Sequence, residues 1–230
     1  MKKKLYWNFL ISLAFESYIL VAMCALINLQ QLGWDNFGAS TSSLSTLIAL
    51  VAVVGLPIFV GVFLYCKWDK LKDKEVIEKF GVMYEDLDLD QGRWVASVPL
   101  VFILRRLHLC MIIMFMNHAA FQLQSINFAL LYVMIQNGSI EPFKTKTLAH
   151  LDLFNELSIL LIFYHMLVFT PFVHSADRKT EAGWSVIVVT VINIVINLAY
   201  LAISSIRQLI RKCRDKKLRK ANEEALRKRL

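Results

Sequence analysis

Charged side chains are scarce in this chain of 230 residues. Asp, Glu, Lys and Arg together make up 19% of the sequence, against about 25% in an average soluble domain. Hydrophobic residues make up 57%, against roughly 45–50%. Apolar segments of about 20 residues recur, and a helix of about that length crosses the hydrocarbon of a bilayer. The composition therefore argues against a soluble domain, which would aggregate with such segments, and indicates a polytopic membrane protein.

Cysteine is also scarce, with 4 residues that show no paired spacing. They are Cys24, Cys66, Cys110 and Cys213. A disulfide framework or a zinc site needs cysteines at characteristic spacings, so neither is predicted. Three of the four lie in or beside apolar runs, where a free cysteine behaves as a small hydrophobic side chain.

Signatures of catalysis and of metal binding are missing as well. The chain contains no G-x-S-x-G, H-E-x-x-H or P-loop pattern and offers no nucleophile–base pair. Asp86, Asp88 and Asp90 match the first ligand positions of an EF-hand. However, Gly92 falls one residue too late for the EF-hand glycine, and Ser97 stands where the bidentate glutamate belongs. We therefore expect no enzyme activity, no metal site and no cofactor.

Six segments have the length and apolar character of transmembrane helices. They cover approximately Leu5–Leu29, Leu44–Cys66, Trp94–Met116, Ala119–Gln136, Phe154–Phe172 and Trp184–Ile206. The fourth is shorter and more polar than the others, because Gln122, Gln124 and Asn127 interrupt it. The sequence thus predicts an all-α fold with a six-helix transmembrane domain, residues 1–206, and a basic cytoplasmic C-terminal helix, residues 207–230.

The basic residues indicate the orientation of these helices, because cytoplasmic loops are enriched in Lys and Arg. With both termini cytoplasmic, 22 basic residues lie inside and only Arg178 and Lys179 lie outside. This asymmetry favours an even number of spans. The first segment starts like a signal peptide, but Glu16 interrupts it and no A-x-A-like cleavage site follows. We expect a retained signal-anchor helix in an integral protein of the plasma membrane or an organelle membrane.

Two adjacent arginines, Arg105 and Arg106, lie within the third apolar segment. A charge at mid-bilayer costs about 2.5–3.5 kcal/mol on insertion scales, so both arginines need partners. Glu16 and Arg105 each lie eleven residues into their segments, which places both roughly 16 Å deep from the same side. An ion pair of Glu16 with either arginine is therefore expected, and Glu156 near the start of the fifth segment is the second acidic candidate.

These four residues, Glu16, Arg105, Arg106 and Glu156, are predicted to form an intramembrane charge cluster. Neighbouring residues of a helix point about 100° apart, so one acid does not easily serve both arginines. The cluster has two interpretations. It serves an ion or substrate pathway or its gate, or it is a structural clamp that locks helices together and does nothing else.

A polar face is predicted on the sixth segment. Asn193 and Asn197 are four residues apart and therefore share one side of the helix. Within a bilayer, such amides hydrogen-bond to a neighbouring helix or line a polar cavity.

The C-terminal tail carries 11 basic residues between Arg207 and Arg229. We expect it to contact anionic lipid headgroups through five residues: Arg211, Lys212, Arg214, Lys216 and Lys217. The alternative is a solvated tail that only reflects the excess of positive charge inside. Nucleic-acid binding is not expected, because no aromatic residues are interleaved with the basic ones.

Five motifs follow one another along the chain. They are "KFGVMYEDL" (Lys79–Leu87), "PLVFILRRLHL" (Pro99–Leu109), "FQLQSINFALLYV" (Phe121–Val133), "EPFKTKTLAHLDLFNELSILL" (Glu141–Leu161) and "GWSVIVVTVINIVINL" (Gly183–Leu198). This series resembles the C-terminal membrane region of large protist surface proteins, which is similar to the transient receptor potential (TRP)-like membrane domain. The resemblance implies a six-helix module of the cation-channel type.

The resemblance does not extend to a pore. Channels of the TRP type place a pore helix and a filter between their last two spans, whereas "VHSADRKTEAG" offers about eleven residues. We expect a channel-type module or channel subunit without a recognisable pore loop, or alternatively a non-conducting structural subunit or anchor of a membrane complex. A small transporter ranks behind both, because no inverted repeat is visible. The expected partners are a bilayer with anionic headgroups and either further copies of the chain or other membrane subunits.

Overall fold

The computed structural model describes the backbone of residues 2–227 and, within that range, the side chains of residues 7–207, 209–211, 213 and 214. Regular structure in this part is helical, and its β-type pairing is limited to an isolated antiparallel bridge between Leu87 and Phe143. The α-helices are α1 (Lys2–Leu29), α2 (Phe37–Cys66), α3 (Lys74–Phe80), α4 (Ser97–Phe115), α5 (Ala119–Ile140), α6 (Lys146–Met166) and α7 (Ala176–Arg227). Short 3₁₀ helices lie at Trp68–Lys70, Gly81–Met83, Leu89–Gln91, Arg93–Ala96 and Leu167–Phe169. The all-α prediction is confirmed for this part of the chain.

Five helical segments of the described chain are long and apolar enough to cross a membrane. They are Trp7–Leu29, Phe37–Cys66, Arg93–Phe115, Lys146–Phe169 and Ala176–Arg211. These segments are compatible with an integral membrane protein. Helix α5 corresponds to the predicted fourth span and has sufficient length, with 22 residues. It is not among the five, because Gln122, Gln124 and Asn127 lower its mean hydropathy.

Helices α1, α2 and α4 contribute most of the larger cluster of buried apolar side chains in the described molecule. Their buried side chains include Tyr18, Ala22, Val53, Val60, Ile103 and Cys110. The Tyr18 hydroxyl donates a hydrogen bond to the carbonyl oxygen of Val53 at 2.9 Å and so joins α1 to α2. Gly61 brings α2 onto α4, since a Cβ atom there would lie 3.4 Å from the Leu100 side chain. Pro57 lies inside α2, which continues through it.

The other long helices are added to this core in sequence order. Helix α5 packs on α4, α6 packs on α5, and α7 packs on α6. Short links make each pair antiparallel. Gln136 near the end of α5 donates to the Ser97 hydroxyl at the start of α4 at 2.7 Å. Helix α7 lies at the edge of the bundle, and none of the residues in its most apolar stretch is buried.

Two links meet at one end of the bundle. They are residues 67–96, between α2 and α4, and residues 141–145, between α5 and α6; together we call them the collar. The backbone N–H of Asp88 donates to the carbonyl of Pro142 at 2.7 Å, beside the isolated bridge. Helix α3 of the collar also packs against α1. The starts of α1, α4 and α6 and the end of α5 therefore lie at the same end of the bundle, the collar end.

Candidate functional site

Arg105 of α4 forms an ion pair with Glu156 of α6. Its Nη1 donates hydrogen bonds to both carboxylate oxygens of Glu156. The Glu156 side chain is only 8% exposed and that of Arg105 is 23% exposed. Because a buried carboxylate and a buried guanidinium each lose their hydration, they are stable at this place only as a pair. The second acidic candidate of the sequence is thus the partner of Arg105.

Arg106 points to a different helix. Its Nη1 donates to the backbone carbonyl of Phe15 on α1. The guanidinium carbon lies 4.0 Å from the centroid of the Phe102 ring, one turn earlier on α4, which is a cation–π contact. Since adjacent residues of a helix point about 100° apart, Arg105 and Arg106 connect α4 to α6 and to α1 respectively.

Glu16 does not form the ion pair that was expected for it. Its carboxylate accepts a hydrogen bond from the Ser12 hydroxyl at 3.4 Å, and no ion pair joins it to either arginine among the described residues. Two residues at equal depth along their helices lie at the same height in the bundle. Whether their side chains meet depends on how each helix is rotated about its own axis. Here that rotation presents the carbonyl of Phe15, and not the next residue's carboxylate, to Arg106.

A cavity of about 400 Å³ opens beside the Arg105–Glu156 pair toward the collar. We call it the outer cavity. Besides Arg105, its charged lining consists of five acidic residues: Glu16, Glu85, Asp86, Asp152 and Glu156. Asp152 accepts a hydrogen bond from the amide of Asn137 on α5 at 2.8 Å. The outer cavity thus collects all the described members of the predicted cluster except Arg106, and its charge is predominantly negative.

A second cavity, of about 240 Å³, lies farther from the collar, and we call it the inner cavity. Arg105 lines both cavities. On α4 the outer cavity is lined by residues up to Arg105 and the inner one by residues from Arg105 to Leu109. On α6 the outer cavity ends at Glu156 and the inner one begins at Ile159. The two cavities therefore follow one another along the bundle, with the ion pair at the step between them.

Helix α6 also carries the partner of the predicted polar face of α7. Asn193 and Asn197 lie on one side of α7, and their Nδ2 atoms donate to Oδ1 of Asn155 at 2.9 and 2.7 Å. Farther along, Ser185 and a ring nitrogen of His165 are 3.0 Å apart. Asn155 was not predicted from the sequence, although an amide next to Glu156 in an apolar helix is a signal that identifies it.

One buried amide has no partner in the described part of the chain. Asn127 on α5 is 2% exposed, and neither its Nδ2 nor its Oδ1 makes a hydrogen bond there. An unpaired amide inside a bundle is costly, because the same group is solvated in water. Asn127 is therefore a weak point in the packing of α5.

The predicted headgroup contacts lie on the last part of α7. Arg211 and Arg214 are exposed there. The side chains of Lys212, Lys216 and Lys217 lie outside the described residues. The contact of these five residues with lipid headgroups stays a prediction.

Comparisons of the chain with protein-family models, with curated proteins and with solved structures give no match. The functional interpretation therefore depends on the geometry of the site.

Proposed function

We propose that this chain is an integral membrane protein with six spans that forms a channel-type module or a channel subunit for cations. The observation that carries the proposal is the position of the Arg105–Glu156 pair between two successive cavities inside a bundle of apolar helices. The proposal includes no catalytic step, no metal and no cofactor.

The position of α5 supports a sixth span. Its end hydrogen-bonds to the start of α4 through Gln136 and Ser97. Near its own start, Gln122 donates to the carbonyl of Met116, just past the end of α4. Helix α5 therefore returns along the whole length of α4. At 1.5 Å per residue its 22 residues cover about 33 Å, which is enough for a bilayer core of about 30 Å.

The charge distribution supports cytoplasmic placement of the collar end and of both termini. Six basic residues lie between Lys67 and Arg93, Lys144 lies in the other part of the collar, and the N-terminal lysines and the basic tail fall on the same side. Arg178 and Lys179 lie at the start of α7, at the opposite end. This is the pattern that the positive-inside rule requires.

The two cavities support conduction through the bundle of α1, α4, α5 and α6. A cation entering from the cytoplasm meets a surplus of carboxylates in the outer cavity, and focused negative charge raises the local concentration of cations. The guanidinium of Arg105 then blocks the way to the inner cavity by its charge. In this proposal the ion pair is the closed gate, and conduction requires that Arg105 and Glu156 separate.

A TRP-like module remains part of the proposal on the basis of the sequence motifs, without a filter in the family's usual position. The link from the last 3₁₀ helix to α7 is only residues 170–175. The link leaves no room for a pore helix, which is a further reason to seek the pathway within the bundle.

A non-conducting structural subunit or anchor is the second candidate. The observation that favours it is that the polar groups of α6 are used for ties between helices: Glu156 to α4, and Asn155 to α7. In this candidate the apolar outer side of α7 packs against further copies of the chain or against other membrane subunits.

Ion flux separates the two candidates. The full chain is reconstituted into liposomes, and cation flux is measured across a range of voltages and pH. The informative variant is the double change Arg105→Gln with Glu156→Gln, which removes the ion pair between the two cavities without leaving one of its charges unpaired, while Arg106 keeps its charge on the wall of the inner cavity. We expect it to raise cation flux about tenfold or more over the wild type, since about 1.4 kcal/mol of barrier corresponds to tenfold in rate.

The control is Arg178→Gln, which removes an exposed positive charge at the opposite end of the bundle. It should leave the flux unchanged. If the wild type and the double variant are both silent while both remain folded and monodisperse, the channel proposal fails and the structural subunit is supported.

A further inference from the structure

An apolar groove runs between α2 and α4 at the collar end of the bundle. Its volume is about 360 Å³, within the range of roughly 300–1,000 Å³ that is usual for small-molecule sites. Its wall is built mainly from aliphatic and aromatic side chains, among them Leu64, Tyr65 and Leu100. It shares no lining residue with the outer and inner cavities and is therefore separate from the proposed pathway.

The deep end of the groove is shaped by Gly61. A Cβ atom at this position would lie 3.4 Å from the side chain of Leu100. A larger side chain at position 61 would therefore project into the space between the two helices. Because Gly61 and Leu100 both line the groove, the absence of a side chain at position 61 leaves the groove surface over these two residues uncovered.

The mouth of the groove has the chemistry of a membrane interface. Trp68 and Trp94, which follow the end of α2 and precede the start of α4, line it from both sides. Tryptophan at helix ends marks the boundary between acyl chains and headgroups. Arg93 also lines the groove and is the charged residue of its wall.

The contact of Arg93 with an acidic neighbour is weak enough for an anionic ligand to replace it. Its Nη2 lies 3.6 Å from Oδ1 of Asp69, but the two side chains are 65% and 85% exposed. Exposed pairs of this kind are weak and are screened by salt. A phosphate group that approaches along the interface competes with Asp69 for Arg93.

We propose that this groove binds one phospholipid of the leaflet at the collar end, with an acyl chain lying along Gly61, Tyr65 and Leu100 and the phosphate at Arg93. The apolar depth of the groove matches an acyl chain, the tryptophan pair at its mouth matches the glycerol region, and Arg93 matches the phosphate of an anionic phospholipid. A hydrophobic protein helix would fit the apolar depth but would leave the charge of Arg93 unmatched. The inference rests on the membrane placement proposed above and does not depend on ion conduction.

Photocrosslinking tests the site. The full chain is reconstituted with phosphatidylglycerol that carries a diazirine near the end of one acyl chain, irradiated, digested and mapped by mass spectrometry. The expected adducts concentrate on the groove, at residues such as Leu64 and Leu100. The same photolipid with a phosphatidylcholine headgroup should label these residues about fivefold less, which is the effect of one basic residue near an anionic lipid.

Two pairs of variants make the test specific. Gly61→Leu fills the deep end and should reduce groove labelling at least fivefold, whereas Gly55→Leu is its control, because a Cβ atom at Gly55 meets nothing within 4 Å. Arg93→Gln should reduce phosphatidylglycerol labelling to the phosphatidylcholine level, whereas Lys70→Gln should change it less than twofold. Since Arg93 is exposed, this variant remains informative if Gly61→Leu fails to fold.

Three outcomes would overturn the proposal. Adducts spread evenly over the exposed helix faces would mean ordinary annular lipid only. Labelling that Gly61→Leu and Arg93→Gln both leave unchanged would place the lipid elsewhere. Groove residues that stay unlabelled in a reconstituted chain that is dimeric by native mass spectrometry would mean that a second copy covers the groove. Adducts on the apolar helices outside the groove would still support membrane placement, so failure of this site is distinguishable from failure of the proposed function.

Discussion

Asn155 on α6 and Asn197 on α7 exchange two hydrogen bonds. Nδ2 of Asn197 donates to Oδ1 of Asn155 at 2.7 Å, and Nδ2 of Asn155 donates to Oδ1 of Asn197 at 3.2 Å. Asn193 adds a third bond to Asn155, at 2.9 Å. Because lipid tails are as apolar as leucine, apolar contact alone does not favour a protein neighbour over lipid for a membrane helix. The amide cluster therefore supplies specificity to the attachment of α7.

Replacing Asn155 by leucine is expected to weaken the attachment of α7. The change removes all three bonds and leaves two amides of α7 facing an apolar neighbour. Interhelical hydrogen bonds in membranes average about 0.6 kcal/mol each, so we expect a loss of about 1–2 kcal/mol in the free energy of unfolding. Unfolding by sodium dodecyl sulfate in mixed micelles measures it.

The control for this change is Asn28→Ala. In the described part of the chain, the amide of Asn28 donates to the carbonyl of Cys24 in its own helix, at 3.0 Å. Its removal should therefore lower the free energy of unfolding by much less than Asn155→Leu does. Asn193→Ala, which removes one of the three bonds, should fall between the two. Equal losses at positions 28 and 155 would contradict the role given to the cluster.

Neutralising Glu156 is expected to destabilise the bundle strongly. Glu156→Gln leaves the half-buried guanidinium of Arg105 without its counter-charge, and breaking a buried pair in this way typically costs about 3–5 kcal/mol. Glu16→Gln should change stability by no more than about 0.5 kcal/mol, because Glu16 forms no ion pair within 4 Å with either arginine in the described structure and acts on Arg106 only at longer range. Detergent unfolding of both variants gives the comparison. A larger loss of stability in Glu16→Gln than in Glu156→Gln would contradict this expectation and would support the ion pair between Glu16 and an arginine that was predicted from equal depth.

These residues illustrate what the sequence could and could not predict. The apolar segments were predictable, because the thickness of a bilayer imposes the length of a span. The need of Arg105 for an acidic partner was predictable from the cost of a charge in hydrocarbon. The choice of Glu156 over Glu16 was not, because it depends on how helices are rotated in the packed bundle.

The collar was beyond sequence reasoning for a different reason. Its backbone hydrogen bond between Asp88 and Pro142 joins two links that are far apart in the chain and carry no common motif. Such pairing follows from where α4 and α5 end, and it becomes visible only after the helices are assembled.

Replacing Asn127 by leucine is expected to stabilise the protein. The amide is 2% exposed and unpaired in the described structure, and removing an unsatisfied buried polar group of similar size typically gains about 1–3 kcal/mol. Asn127→Asp keeps the size but puts an ionisable carboxyl in the same buried position, so it should lose stability. Thermal unfolding in detergent measures both. A loss of stability in Asn127→Leu would mean that the amide has a partner in the folded protein.

Alkaline conditions are expected to loosen the collar through Tyr84. This side chain is buried, and its hydroxyl donates to the carbonyl of Leu71 at 3.0 Å. Burial raises the pKa of Tyr84 above its ordinary value of 10.0. The stability contributed by the neutral phenol is therefore fully present below about pH 10 and is lost as the pH rises through the higher folded-state pKa.

The variant Tyr84→Phe isolates this effect. At neutral pH it should lose about 1 kcal/mol with the hydrogen bond to Leu71. Above pH 10 the difference from the wild type should shrink, because phenylalanine does not titrate. Unfolding of both proteins between pH 8 and 11.5 tests it, and a difference that stays constant over this range would contradict the expectation.

The sixth span is tested by the accessibility of the two ends of α5. Asn117, before α5, and Gly138, in its last turn, are both exposed, and a Cβ atom at Gly138 meets nothing within 4 Å. After the exposed native cysteines are replaced by serine, Asn117→Cys and Gly138→Cys are labelled with an impermeant maleimide in sealed vesicles of both orientations. We expect the two positions to react from opposite sides, with Gly138→Cys on the same side as a cysteine at the collar position Lys70.

If both ends of α5 react from one side, α5 does not cross the membrane. The α4–α5 and α5–α6 links would then face the same compartment, although α4 has carried the chain from one end of the bundle to the other. That result would contradict the antiparallel packing of α4 and α5 between Ser97 and Gln136.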